Sequence, residues 1–418
     1  MTSFRALAVT TGLVTATTAW TPSAAWAQAA TQTTPAAQPF TAGWQDGFAL
    51  QSGNGDYRLV FGLTAQEDGR FSLDTPTPIV DTFTLRKVRP TLSGRVGKYF
   101  DFKVMPDFGN GTTVVQDAYF DIRFSPKFRV RTGKDKTPVG YELLIGDANL
   151  FFPERALASS LVPNRDIGVQ AQGDLVGGIL SYSGGVFNGI PDGSSTSTEL
   201  DTNNTKDLAG RLTLQPFKSA HTLSAASGFG VQLGGSSGKQ IGALPSFKTS
   251  VGQTYFSYIS TATASGARER ITPAVFYYYK ALGAFGEYVR SSQKITKAGV
   301  QSDVTNHAWE VTGAVTLTGE ATTDRGVRPD SPFDPAASKW GAIQFVVRYA
   351  VLTIDPAAFS AGLTAANASQ EARSFTIGAN WYPVAYVKYY VTFERTTFNN
   401  SAARPAENMI LFRTQLAF

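Results

Sequence analysis

The chain has 418 residues and a formal net charge of +5, with 42% hydrophobic, 12% aromatic and only 17% charged residues, 40 Gly and no Cys. The lack of Cys excludes a disulfide-stapled secreted domain, and His221 and His307 alone cannot furnish a His-rich metal site. No stretch beyond the first 27 residues supplies the roughly 18–20 consecutive apolar residues of a spanning helix, yet charge is too sparse for an ordinary soluble surface. A wall with one greasy and one wet face fits this composition.

Residues 1–27 read as a secretory signal peptide: Arg5, then the small apolar run from Ala6 to Trp20, then Ala25-Trp26-Ala27 as the cleavage site. The run is too short and too rich in Thr to hold in a bilayer. Its removal lowers the formal charge to about +4. Residues 28–56 are expected to be a periplasmic leader, flexible over the Ala/Gln/Thr/Pro-rich 28–42. The barrel is assigned to 57–418.

From Tyr57 the pattern has period two. Leu59, Phe61, Leu63 and Ala65 share one face, with Arg58, Thr64 and Gln66 on the other. Candidate strands lie at 57–68, 82–97, 100–108, 114–124, 127–134, 166–175, 179–187, 207–217, 222–234, 268–280, 282–293, 306–318, 339–352, 371–382, 386–397 and 407–418. That makes about 16, an even number as bacterial barrels prefer, and segments of about 9–11 residues can cross hydrocarbon when tilted. Lipid offers no partner to an open edge, so the strands must close. The fold expected is all-β: a transmembrane antiparallel β-barrel with an inward-folded constriction loop.

On the second strand Val88, Pro90, Leu92 and Val96 face outward, whereas Lys87, Arg89, Thr91, Ser93 and Arg95 face inward. Later strands add Lys103, Arg123, Arg129 and Arg131, then Arg211, Arg348, Lys388 and Arg413. A charge facing lipid near the midplane costs several kcal/mol, so these side chains line water. Basic rings favour anions. Asp101, Asp107, Asp117 and Asp121 share the inward faces, and the alternative is that the charges pair and brace the wall.

The connection 135–165 is too long and too apolar to float free. Leu143, Leu144, Leu150, Phe151 and Phe152 need burial, which a wide barrel provides. Read as a constriction loop, it brings Lys136, Arg155, Ser159, Ser160 and Arg165 toward the axis beside Lys134; an extracellular cap is the alternative. Short turns such as Ser125-Pro126-Lys127 and Val176-Gly177-Gly178 alternate with long loops. Two segments disturb this order. The span 319–338 is long where a short turn is expected, and Tyr255–Ile259 has strand character that would spoil the even count.

Gly234-Gly235-Ser236-Ser237-Gly238 matches G-x-S-x-G, but it is expected to lie in a Gly/Ser loop with no following helix, so hydrolysis is not expected. No P-loop or H-E-x-x-H is present, and neither cofactor, metal nor nucleic acid is expected. The last strand alternates strictly: Ile410, Phe412, Leu416 and Phe418 oppose Met409, Leu411, Arg413 and Gln415. A final amphipathic strand ending on an aromatic residue resembles the signal read by the barrel assembly machinery of Gram-negative outer membranes.

Specific stretches then match a known family. They are Gly43-Trp44-Gln45-Asp46-Gly47-Phe48, Thr84-Leu85-Arg86-Lys87-Val88-Arg89, Lys98-Tyr99-Phe100-Asp101-Phe102-Lys103-Val104-Met105-Pro106-Asp107-Phe108 and Gln116-Asp117-Ala118-Tyr119. Phe124-Ser125-Pro126, Gly133-Lys134, Leu161-Val162-Pro163-Asn164-Arg165-Asp166-Ile167-Gly168, Gly185-Val186-Phe187-Asn188-Gly189 and the tail from Leu317 extend the match. The chain resembles the phosphate-selective porin O and P family of Gram-negative bacteria. The resemblance implies a sixteen-stranded homotrimeric channel in outer-membrane lipid, carrying inorganic phosphate or polyphosphate, with Arg86, Lys87, Arg89, Lys134 and Arg155 in matching motifs. General or differently selective solute passage remains an alternative, as does a surface or adhesin barrel.

Overall fold

Side-chain alternation survives in three dimensions as two surfaces of one closed sheet. The computed structural model describes residues 39–74, 79–196, 201, 203–219, 225–399 and 404–418. A short hairpin, β1 (Phe40–Trp44) and β2 (Phe48–Ser52), precedes the wall. The wall then runs through β3 (Tyr57–Ser72), β4 (Thr82–Val96), β5 (Phe100–Asp107), β6 (Val114–Ser125), β7 (Phe128–Lys136), β8 (Arg165–Leu175), β9 (Leu180–Phe187), β10 (Asp207–Leu214) and β11 (Phe229–Gly242). After a separate pair, β12 (Ser246–Lys248) and β13 (Thr254–Ser257), it resumes with β14 (Ala262–Tyr279), β15 (Leu282–Lys297), β16 (Val300–Thr316), β17 (Ala342–Thr353), β18 (Glu371–Val384), β19 (Val387–Phe398) and β20 (Glu407–Ala417).

Every neighbouring pair in the ring is antiparallel, and β20 closes on β3 from Met409 opposite Ser72 to Ala417 opposite Thr64. Leu63 N–H donates to the Phe418 carbonyl at 2.9 Å, and Phe418 N–H returns the bond at 3.0 Å. Sixteen strands therefore form the wall, each within the expected order. β13 is a strand, as Tyr255–Ile259 suggested, but it pairs with β12 in a two-stranded sheet outside the ring, so the even count stands.

Several boundaries move; β14 starts at Ala262 rather than 268 and β16 at Val300 rather than 306, for example, and three further shifts bear on the reading. β11 starts at Phe229 rather than 222 because Ala226–Gly228 form a 3-10 turn; residues 222–224 of that candidate lie outside the described residues. β11 also continues through Gly234–Gly238, so the G-x-S-x-G run sits inside a strand and not in a loop, with Ser236 accepting a hydrogen bond from Arg270 at 3.1 Å. At the N-terminus the sheet begins at Phe40. The signal peptide and the first part of the leader, residues 1–38, lie outside the described residues. The rest of the 28–56 stretch forms the β1–β2 hairpin, whose β2 pairs with the end of β3 that β20 does not reach, from Phe48 opposite Phe61 to Gln51 opposite Arg58. Gly47 makes the tight turn possible, since a Cβ there would lie 2.7 Å from the Phe61 carbonyl oxygen.

The two ambiguous strands are now oriented. β9 turns Ser183 and Phe187 inward and Val186 outward, and β15 turns Phe285, Glu287 and Val289 inward. Apolar residues face the lumen of β15 because the lumen is partly filled. Val139, Leu143, Leu157, Leu161 and Val162 of the connection after β7 pack with Phe247, Tyr255 and Phe256 and with Val289 and Leu352 of the wall. The molecule's core thus lies inside the cylinder. The long segment 319–338 folds back on the short-turn side. Thr322 N–H donates to the Lys280 carbonyl at 2.8 Å, Arg328 pairs with Asp46 at 2.8 Å, and Phe333 packs against Trp340 and Trp381 at 5.6 Å.

Candidate functional site

The connection between β7 and β8 enters the barrel and crosses it, which excludes the extracellular-cap alternative. Tyr141, Phe151 and Phe152 bury against Phe276, Phe285, Ala314 and Val346 of the wall. Polar anchors fix the path. Glu287 accepts the backbone N–H groups of Tyr141 and Glu142 at 2.6 and 3.1 Å. Lys388 donates to the Leu150 carbonyl at 2.7 Å, Asn380 to the Phe151 carbonyl at 2.9 Å, and Arg413 to the Pro153 carbonyl. Arg348 donates to the Glu142 carboxylate at 3.2 Å and to the Glu154 carbonyl at 2.9 Å.

These contacts correct part of the sequence reading. Arg348, Lys388 and Arg413 face inward as expected, but the loop covers them to 2%, 2% and 0% exposure, so they hold the loop instead of facing open water. Ser159 is likewise buried, donating to the Glu142 carboxylate at 3.0 Å, whereas half-buried Ser160 borders the outer cavity. Lys136 donates to the carbonyls of Leu143 and Ile145, and Lys134 to the Thr196 carbonyl at 2.6 Å.

Two loop carboxylates gather the remaining bases. Asp147 pairs with Arg155 at 2.6 Å, with Lys87 at 3.3 Å, and with Arg89, which also holds Asp107 at 2.7 Å. Glu154 pairs with Arg86 at 2.7 Å, Arg70 at 2.9 Å and Arg413 at 3.2 Å, and Arg413 also holds Asp68 at 2.5 Å. Burial pushes both loop carboxyls up, but the cations outweigh it: Lys87 and Arg155 hold Asp147, and Arg86 and Arg413 hold Glu154, well below the usual carboxylate range. Both acids stay ionised, and around them Arg70, Arg86, Lys87, Arg89, Arg155 and Arg413 outnumber Asp68, Asp107, Asp147 and Glu154.

Arg86 reaches this place by a β-bulge. Opposite β3 the register jumps from Gln66–Lys87 to Glu67–Leu85, leaving Arg86 as the extra residue. Strict alternation puts Arg86 on the lipid face with Val88; the bulge turns both Arg86 and Lys87 inward. A cavity of about 1010 Å³ on the long-loop side is bordered by Arg70, Arg86, Lys87, Glu154 and Arg155. A second, of about 310 Å³, is bordered by Arg89, Lys103, Lys136, Asp147 and Arg165. The Asp147 cluster lies between them, with Lys87 and Arg155 bordering the first and Arg89 and Asp147 the second.

Along the adjacent wall most bases are paired. Arg95 holds Asp101 at 2.7 Å, with Arg123 at 3.8 Å from the same group; Lys103 and Arg165 share Asp117 at 2.8 and 2.7 Å. Arg131 holds Asp121 at 2.7 Å and lies 3.6 Å from the Tyr119 ring centroid, Arg129 donates to Gln172 at 3.2 Å, and the Nε of inward-facing Arg211 has no hydrogen-bond partner. The sequence reading missed Arg70, Glu154 and Asp147, and also Arg268 and Arg270, which hold Asp207 and Asp192 at 2.6 Å. Arg268 and Arg270 stand on inward positions of a recognised strand, so alternation could have found them; Arg70 lies two residues past the expected end of the first strand, which runs on to Ser72. Asp147 and Glu154 lie in aperiodic loop and carry no such signal.

A family profile described as phosphate-selective porin O and P matches residues 58–418. No curated protein matches the sequence. Among solved structures, the chain is similar to the outer membrane channel DcaP of Acinetobacter baumannii, with 11% identity, a TM-score of 0.58, and 88% of this chain and 99% of that chain covered. It is also similar to the anion-selective porin from Comamonas acidovorans, with 12% identity, a TM-score of 0.53 and coverage of 86% and 99%. For Salmonella typhi OmpF the values are 10%, 0.52, 90% and 100%. At these identities the likeness concerns the fold.

Proposed function

The chain belongs to the phosphate-selective porin O and P family, and from that membership we propose that this outer-membrane porin passes small anions, inorganic phosphate and short polyphosphate foremost. The observation that carries the reading is the cation surplus around Asp147 and Glu154, where six bases surround four carboxylates, and we take this cluster as the narrow point. Arg86, Lys87, Arg89 and Arg155 act as the filter. Arg supplies planar donor pairs suited to phosphate oxygens, and Lys a compact charge. Asp147 and Glu154 keep each contact weak by competing for the same donors, so an anion is admitted and released without being trapped. Steering begins in the outer cavity, where the field of Arg70 and Arg86 raises local anion concentration. Lys103, Arg123, Arg129, Arg131, Arg165 and Arg211 continue the basic lining beyond the narrow point, with Arg95 near the short-turn mouth.

Three copies form the working assembly in outer-membrane lipid, and the final strand ending on Phe418 serves as its assembly signal. A general porin is the second reading, favoured by the near-complete pairing of wall charges such as Arg95–Asp101 and Arg131–Asp121. Single-channel recording in planar bilayers separates the two. Chloride preference with block by millimolar phosphate is expected; cation preference, or passage indifferent to phosphate, favours the second.

A further inference from the structure

The connection after β7 is not alone in crossing the barrel. The segment between β11 and β14 folds against it as the β12–β13 hairpin, with Phe247, Tyr255 and Phe256 at 1%, 1% and 0% exposure. Its roots stand across the ring from the basic wall. Counting round the sixteen strands, β11 is the eighth on from β3 and β14 the eighth on from β4. From there the turn of the hairpin reaches strands close to β3. Ser250 donates to the Glu394 carboxylate of β19, and Val251 packs with Ile79 and with Met409 and Leu411 of β20.

This hairpin and the basic face of β3 and β4 border one cavity, the outer one of about 1010 Å³. Pockets of about 300–1,000 Å³ take whole organic molecules; a lone inorganic phosphate leaves most of such a space to water. Its sides differ in chemistry. Arg70, Arg86, Lys87 and Arg155 supply charge. The hairpin supplies Ser246 and Gln253, and the crossing connection adds Ser160.

A second observation concerns those three polar side chains. None has a hydrogen-bond partner among the described residues, and Ser246 is exposed while Ser160 and Gln253 are half-buried. Each Ser offers a donor and an acceptor, and Gln offers both on one planar amide. Bases alone suffice for an inorganic anion. Free hydroxyl and amide groups standing apart from them suit a solute with a polar body as well as a charge.

We propose that this outer compartment is a binding site for phosphomonoesters of polyhydroxy compounds, sugar phosphates among them, which it collects ahead of Asp147. The phosphate group lies on Arg70, Arg86, Lys87 and Arg155, whose donors suit its oxygens. The hydroxyls of the carbon skeleton exchange hydrogen bonds with Ser160, Ser246 and Gln253. No covalent bond is made or broken. This inference rests on the anion-passing reading given above and adds a class of solute to it.

Block of the chloride current in planar bilayers tests it. At about pH 8 inorganic phosphate and glucose 6-phosphate both carry roughly two negative charges, so a difference between them reports the carbon skeleton. Added on the long-loop side, glucose 6-phosphate is expected to halve the current at a concentration roughly fivefold below that of inorganic phosphate, the gain of about one net hydrogen bond. Glucose itself is expected to leave the current unchanged; block by glucose as strong as by its phosphate overturns the placing of the phosphate on the bases. In the triple variant Ser160→Ala, Ser246→Ala, Gln253→Ala the advantage of the ester is expected to vanish, with inorganic phosphate blocking as in the wild type. Equal or weaker block by the ester in the wild type overturns this proposal alone, as does an advantage that survives the triple variant. A wild-type channel that neither prefers chloride nor is blocked by inorganic phosphate overturns the reading beneath it as well.

Discussion

Arg86 and Glu154 are the single residues expected to set the charge of the proposed narrow point. Replacing Glu154 with Gln keeps its shape but releases Arg70, Arg86 and Arg413 from their shared partner. The anion-to-cation permeability ratio, read from reversal potentials across a salt gradient, is expected to rise by roughly twofold or more. An unchanged ratio would mean that these guanidiniums do not act on the passing ion. The pH response follows from the lowered carboxyls of Asp147 and Glu154. A carboxyl with a depressed folded value contributes its full stability above the ordinary carboxylate range and loses it as pH falls through the depressed value. Neither carboxyl is therefore expected to add a step to selectivity as pH falls to about 5; a step near pH 5 that disappears in Glu154→Gln would contradict the pairing. Lys87 and Arg89 were legible in the sequence because alternation places them inward. Arg86 was reached only through family resemblance, since a bulge inverts the period at that one position.

At the level of elements, the bulge gives an unusual expectation. Phe83 and Leu85 face outward before it, and Val88, Pro90 and Leu92 after it. Deleting Arg86 restores a continuous alternation without turning any other side chain over. The deletion variant is expected to fold, as judged by heat-modifiable gel mobility, and to lose part of its anion preference. Failure to fold would show that the bulge itself is needed for closure. The inward loop behaves differently. Arg413→Ala leaves Asp68 and Glu154 short of a buried partner, a loss of about 3–5 kcal/mol, and a mobile loop is expected to appear as added open-channel noise. All sixteen wall strands were legible, because one face meets lipid and keeps the period. The start of β11 was not: nothing in the period distinguishes the 3-10 turn before Phe229 from strand. β15 was ambiguous because Phe285 and Val289 meet the loop's apolar residues, so both faces read as greasy.

For the whole molecule, the two mouths are unlike. Segment 319–338 folds across the short-turn side and, with Lys388, Tyr386 and Phe418, borders a cavity of about 440 Å³. Replacing it with a two-residue turn is expected to raise conductance while sparing the proposed anion preference, which is assigned to the bases around Asp147 and Glu154. A fall in preference would move part of the filter to this mouth. The crossing loop has a mechanical meaning as well. It is tied by its ends to β7 and β8 and by its middle to β15, β17, β18, β19 and β20. A hollow tube yields to squeezing by becoming oval; one braced from side to side does not. The bore of this protein is therefore fixed by an internal strut, and changes in the thickness or lateral pressure of the surrounding bilayer should leave the size of solute it admits unaltered.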